Sequence, residues 1–468
     1  MKLLFLIPGT PVFSLILPPI TVINSALLTR RIFESLKAIT YTFPILEHRL
    51  SNGLLVLIIE DHSLPIICYS TTFKVGSRNE YQKPGQSHGI TGMSHLFEHM
   101  MFNGSKKFGE GVFDHLLESS GGNSNAWTSK DMTFYYDVFP SECLDLVIDM
   151  ESDRMANLSL TKKMFTSERE IVKEERRMST ENSITGTMWE ALYKHAFTTH
   201  SYHWPVVGWM DDLNAMTLAD CKSFYRKYYS PSNAILIVAG DVEFSPLINK
   251  LETAYGAMLP VIVDDCRPAI EPGYSGEKKI EIRRQAELER WLMGYLGCAG
   301  SHPDTSALDI IQQIMADGDS SRLVKKLVHD AKIAIDVSGT FHWGIDPDLF
   351  LFDFRVRPDV SGDRALQQFD DQIDQLTEKL VSPREFQKAK NQLTSQLIYE
   401  LSTQLGKCTE ISNYHMVFND HKMVFRMIDR YMSVTRQDVL RAAQTYLRRD
   451  NRIIIRLIPD QNGTPHDS

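Results

Sequence analysis

The chain has 468 residues, more than one hydrophobic core usually serves, so at least two domains are expected. Its composition, 43% hydrophobic and 23% charged, is that of an ordinary globular protein. The net charge of −9 comes from both signs interspersed along the chain with no basic stripe, which argues against a nucleic-acid binder.

Residues 1–40 open with an almost wholly apolar run, LLFLIPGTPVFSLILPPITVI, between Lys2 and the pair Arg30 and Arg31. Pro8, Pro11, Pro18 and Pro19 interrupt it and oppose a regular membrane helix. It reads either as a signal peptide, because Asn24, Ser25 and Ala26 follow the run, or as an uncleaved anchor held by the arginines. A place in the cell envelope or periplasm, or membrane association through this segment, is expected, with a cytoplasmic location as the alternative. The six cysteines (Cys68, Cys143, Cys221, Cys266, Cys298 and Cys408) form no CxxC pair and read as small buried hydrophobes.

The folded part begins near residue 41. Two strand-like runs, Leu54–Ile59 and Ile66–Phe73, flank the turn-rich EDHSLP, and helical patterns and further strands follow. Strands and helices mix without regular βαβ alternation, which predicts an α+β fold with helices on one face of largely antiparallel sheets. The segments TLADCKSFYRKYYSPSNAILIVAGD and TRQDVLRAAQTYLRRDNRIIIRLIPD align without gaps, pairing Thr217 with Thr435, Asp220 with Asp438, Tyr228 with Tyr446 and Asn233 with Asn451. In each, a Thr caps a helix, a turn follows and a β-branched strand closes the unit. The repeat points to two homologous domains, 41–262 and 279–460, joined by a Pro- and Gly-containing linker at 263–278, with a cleft between halves as a natural ligand site.

HGITGMSHLFEHMMF reads as one helix with an apolar surface of Ile90, Met93, Leu96, Phe97, Met100 and Met101, stopped at Asn103–Gly104. His95, Glu98 and His99 share a face, and two imidazoles one turn apart can reach one zinc ion. H-x-x-E-H is the inverted form of a zinc-protease signature, with Glu98 placed to reach a water on the metal; taken alone, the pattern fits a surface helix equally well. A further ligand is sought in TSEREIVKEERRMSTEN, read as a helix capped by Ser167 with Glu170 completing a capping box. There Glu168, Ile171, Val172 and Glu175 share one inward stripe and Glu174 faces elsewhere. The competing reading is a solvated acidic helix partnered by Arg169, Arg176 and Arg177.

With these motifs in order, the chain resembles the M16 zinc peptidases, the family of pitrilysin, insulin-degrading enzyme and the mitochondrial processing peptidase. HLFEHMMFNGS, GGNSNAWTSKDMTFYY and EREIVKEERR carry the resemblance, which extends over essentially all of 41–460. It implies that His95, His99 and Glu175 bind Zn2+, that Glu98 is the general base, and that Glu168 supports the site from behind the ligands. It also implies that the two domains form half of a clamshell. The NSNAWTS segment would be an edge strand that binds extended peptide substrates by strand addition, with Asn125 and Ala126 as contacts.

The chain departs from that pattern in its second half. Self-sufficient members carry an Arg and, seven residues later, a Tyr that hold the substrate, whereas here SSRLVKKLVHDAKIAIDVSG places Val328 and Ile335 at those positions. Neither side chain can donate a hydrogen bond. An intact metal motif beside a missing substrate pair predicts a zinc-bearing endopeptidase subunit that works with a related partner subunit, or as a homodimer. The alternative is a non-proteolytic structural or peptide-binding subunit of an assembly.

Overall fold

The computed structural model describes residues 41–81, 88–263, 268–274 and 276–460. The apolar 1–40 segment and Cys266 lie outside the described residues. Eleven strands are described: β1 (Leu46–Arg49), β2 (Leu55–Glu60), β3 (Ile66–Phe73), β4 (Asn123–Thr128), β5 (Thr133–Pro140), β6 (Ala234–Gly240), β7 (Lys278–Arg284), β8 (Arg290–Leu296), β9 (Ala334–Phe341), β10 (Leu349–Val356) and β11 (Arg452–Pro459). They form two sheets, ordered β1-β2-β6-β3-β5-β4 and β7-β11-β8-β10-β9. All pairings are antiparallel except β2–β6 and β7–β11. Removing β1 makes the two orders superimposable in chain order, which is the architecture expected from the repeat.

The repeated segments are alike down to single bonds. The Leu218–Tyr228 and Arg436–Tyr446 helices both start at capping boxes, Thr217 with Asp220 and Thr435 with Asp438. Asn233 and Asn451 each donate from Nδ2 to the carbonyl of the tyrosine that ends the helix, at 2.9 Å in both cases. Each asparagine thereby ties a helix C-terminus to the strand that follows, β6 or β11.

The central strands β6 and β8 are buried on both faces, which explains why they read as nearly continuous apolar runs. In the second sheet, Trp291, Met293 and Tyr295 of β8 face that half's own helices, while Leu292 packs with Met188 and Leu192 of the Ile184–Ala196 helix from the first half. Gly294 permits that approach, because a Cβ there would meet a Leu192 methyl at 3.1 Å. The exchange is reciprocal. Ile67, Tyr69 and Phe73 of β3 face the first core, and on the opposite face the Gln404–Phe418 helix of the second half brings Ser412 Oγ to 2.9 Å from Thr72 Oγ1. Each half therefore lends one helix to the other's sheet, and from Phe43 onward the chain forms one compact unit. Four of the five described cysteines are buried, Cys143 is half-buried, and all five are unbonded thiols. Among the described residues no helix is long and apolar enough to cross a membrane.

Candidate metal centre

The histidine helix is shorter than its sequence pattern predicts, running from Met93 to Met100. Gly92 has φ +88°, a left-handed conformation outside the right-handed helix, so the chain before it cannot continue the helical spiral. That entry is held by two buried carboxylates. Glu80 accepts the N–H groups of Gly92 and Ser94, both at 2.8 Å. Asp212 accepts those of Gly89 at 2.7 Å and Thr91 at 3.2 Å, and the Thr91 hydroxyl at 2.5 Å. Below, Met93, Leu96, Phe97 and Met100 are fully buried and fix the helix rotation, leaving His95, Glu98 and His99 on its partly open side. Neither Glu80 nor Asp212 was singled out by any pattern in the sequence, since each acts across the fold on backbone groups.

The glutamate helix departs from expectation at its start. It runs from Lys162 to Arg176, capped by Thr161, whose hydroxyl accepts the Met164 N–H at 3.2 Å. Ser167 and Glu170 are therefore mid-helix and form no capping box. The inward stripe is also narrower than predicted: Val172 is fully buried but Ile171 is 48% exposed. At ~100° per residue, Ile171 lies about 60° from Glu168 on the side away from Val172, while Glu175 lies about 20° from Glu168. The two carboxylates thus ride the border between core and solvent.

That border faces the histidines. Glu175 Oε2 lies 3.5 Å from His95 Nε2 and 3.4 Å from His99 Nε2, and one donor atom from each residue falls within 4.8 Å of the others. A tetrahedral ion with bonds of ~2.0–2.1 Å places its ligands about 3.3–3.4 Å apart, so two imidazole nitrogens and this carboxylate fit zinc in chemistry and in spacing. Glu168 Oε2 stands 3.5 Å from the other nitrogen of His99, Nδ1, the position from which a carboxylate orients a ligating imidazole. Hydrogen bonding to Glu168, then to Glu175, raises His99 to about 9, while burial lowers His95. His99 in turn holds both carboxyls below their ordinary value. The solvent-facing charges of the helix pair among themselves: Glu170 with Lys173 and Arg169, and Glu174 with Arg177. Arg176 turns away to Glu190 and the Gly208 carbonyl. Of the cationic partners of the solvated-helix reading, Arg169 serves Glu170, Arg177 serves Glu174 and Arg176 serves Glu190, and none of them takes Glu168 or Glu175.

Glu98 is half-buried and lines an open recess of about 350 Å³ with His99, Phe102, Asn103 and Glu168. Asn125 and Ala126 lie on β4, which pairs only with β5 among the described residues and so presents a free edge, with the histidine helix packed against it. In the second half, Val328 is half-buried in the Val324–Asp330 helical segment, and Ile335 is exposed on β9, the corresponding edge strand.

Comparison with known proteins gives matches along most of the folded chain. Residues 55–208 match the Insulinase (Peptidase family M16) family and residues 215–393 match the Peptidase M16 inactive domain. The zinc protease PqqE of Helicobacter pylori is 29% identical over 404 residues, covering 85% of this chain and 89% of that protein. The crystal structure of a protease from Helicobacter pylori superimposes with a TM-score of 0.83 at 27% identity, covering 89% of this chain and all of that one. The periplasmic protease PqqL of Escherichia coli shares the fold with a TM-score of 0.74 at 16% identity, and this chain, 90% covered, accounts for 48% of it. With two consecutive domain matches spanning most of its folded length, this chain belongs to the M16 peptidase family.

Proposed function

We propose that the chain is a zinc-dependent endopeptidase acting on peptides or unfolded polypeptide segments, and that it is the metal-bearing subunit of a two-subunit assembly. The observation that carries this reading is the convergence of His95, His99 and Glu175 on one point from two helices. Zinc bound there would acidify a water toward a pKa of ~7 and polarise the scissile carbonyl. Glu98, one residue before His99 on the same helix side, would take the proton released by that water and return it to the leaving amine. Glu168 would keep the His99 ring in the orientation that turns Nε2 toward the ion.

The substrate would add as a strand to the free edge of β4, at Asn125 and Ala126, through backbone hydrogen bonds that tolerate many side chains. In this reading residues 41–262 form the metal-bearing domain and residues 279–460 its inactive homologue, the two building one half of a clamshell. A second half, a related subunit or a second copy, would supply the donors that Val328 and Ile335 lack. The 48% share of the longer PqqL chain supports that arrangement, because the same fold there occupies one half of a chain. A location in the cell envelope is the compartment consistent with the apolar start of the sequence.

The test is Glu98→Gln. It should retain one zinc per chain and lose peptide hydrolysis; hydrolysis at the wild-type rate would remove Glu98 from the proposed role. Assaying the chain alone and mixed with an M16-like subunit carrying the Arg/Tyr pair tests the division of labour, and full activity of the lone chain would refute it.

A further inference from the structure

Where β4 ends at Thr128, the next residues, Ser129, Lys130 and Asp131, form one wall of a cavity of about 380 Å³. The opposite walls come from the Ile184–Ala196 helix, the 204–206 segment and the β9–β10 connection, so the cavity sits where the two halves meet. Four aromatic residues line it: Trp189, Tyr193, Trp204 and Trp343. Its volume is at the small end of ligand pockets, the size for one large side chain.

The charges in these walls are already matched. Lys130 Nζ is 2.6 Å from Asp348 and lies over the Tyr193 ring at 3.6 Å. Asp131 accepts the Tyr202 hydroxyl at 2.8 Å and the Ile345 N–H at 2.9 Å, and Glu190 accepts from Arg176 at 2.8 Å. With the ions satisfied, the cavity has ring faces and apolar surface to offer, which selects an aromatic guest over a charged one. His342 stands edge-on to Trp189 and adds a further ring to the lining.

We propose that this cavity is a specificity pocket for an aromatic side chain of the same extended peptide that pairs with β4. The inference rests on reading β4 as the peptide-pairing edge. A peptide antiparallel to β4 runs with its N-terminal part beyond Thr128. The pocket then receives a side chain on the N-terminal side of the peptide residue opposite Thr128.

The experiment uses the full metal-free chain and fluorescein-labelled Ala/Ser/Thr peptides carrying a single Tyr moved through the sequence, with binding read by fluorescence anisotropy. One Tyr position should bind about tenfold or more tightly than the all-small peptide, the scale expected for burying a large ring. Val206→Trp, which fills the cavity from its wall, should bring that ratio to about one, with the melting temperature checking the fold; Val206→Phe serves if the larger residue lowers it. Absence of any Tyr preference in the wild type, absence of measurable binding, or a preference that survives filling overturns the inference. Zinc content and hydrolysis, measured separately on wild type and Glu98→Gln, decide the catalytic reading independently of this ratio.

Discussion

Glu80→Gln tests how the histidine helix is held. Glu80 is 4% exposed and accepts two backbone N–H groups at the helix entry, so two effects compete on its proton. Burial favours the neutral acid and the N–H groups favour the anion, and burial prevails, pushing Glu80 up to about 8. A carboxyl whose pKa is raised on folding contributes stability that is fully present below its ordinary value of 4.5 and is lost as pH rises through 8. At ~1.4 kcal/mol per pKa unit the full span sets a ceiling on the order of 5 kcal/mol. Glutamine has no proton to lose. Urea unfolding of the metal-free wild type and variant between about pH 5 and pH 9 should show the variant about 1 kcal/mol weaker at the acid end, where it lacks one acceptor. The gap should close and then reverse at the alkaline end. A variant that becomes steadily worse than wild type as pH rises would show that the ionised carboxylate, acting as a charged helix cap, is the stabilising species, and the burial argument would be wrong.

Other consequences of the structure are open to direct measurement. Glu168→Gln should weaken zinc binding by about 10–100-fold in chelator competition without abolishing it, because it removes the group behind His99 and no ligand. Glu175→Gln should cost far more zinc affinity than Glu174→Gln, whose carboxylate pairs with Arg177 on the solvent side. Gly294→Ala should destabilise by about 1–3 kcal/mol through overpacking against Leu192, and unfolding should remain a single transition because the exchanged helices couple the halves. Val328→Arg combined with Ile335→Tyr should raise peptide hydrolysis by the lone chain, read as kcat/KM; no gain would count against their assignment as the missing pair.

Within each helix the candidate side chains were legible because helical spacing is a local property: four residues bring His99 over His95, and seven bring Glu175 over Glu168, while the choice of Glu175 as a ligand came from the family resemblance. What was misread on the same helices was equally local. Thr161 and Ser167 both fit a cap, and only the three-dimensional path shows that the helix is already under way at Ser167. Ile171 matches the apolar spacing, yet the buried face is centred on the far side of Val172. The supports of the site were beyond reach for a different reason. Glu80 and Asp212 recognise backbone N–H groups, which every residue carries, and so leave no signature in the side chains they serve. The exchange of helices between halves was invisible too, because an amphipathic pattern says that a helix is covered and is silent about which sheet covers it.

The repeat lets the candidate metal centre of the first half be set beside the corresponding place in the second. The histidine helix packs against the Lys162–Arg176 helix, and in the second half the Thr305–Met315 helix packs against the Pro383–Glu400 helix at the corresponding place in the topology. Between that second pair lies another cavity, about 190 Å³, with Gln312, Gln313, Gln396 and Glu400 in its lining. Amides are poor ligands for zinc beside imidazole and carboxylate, and Gln313 and Gln396 spend their N–H groups on Asp317, just past the end of the Thr305–Met315 helix, and on Glu400. Tyr414 of the exchanged Gln404–Phe418 helix and Tyr431 close over the same space. The second half thus keeps the corresponding helix pair but places glutamines between its helices, with no histidine in the cavity lining. It serves as scaffold for the edge strand β9 and for the cavity it shares with the first half, and a metal-binding assay on a chain lacking Glu175 and both histidines of the first half should find no residual zinc there.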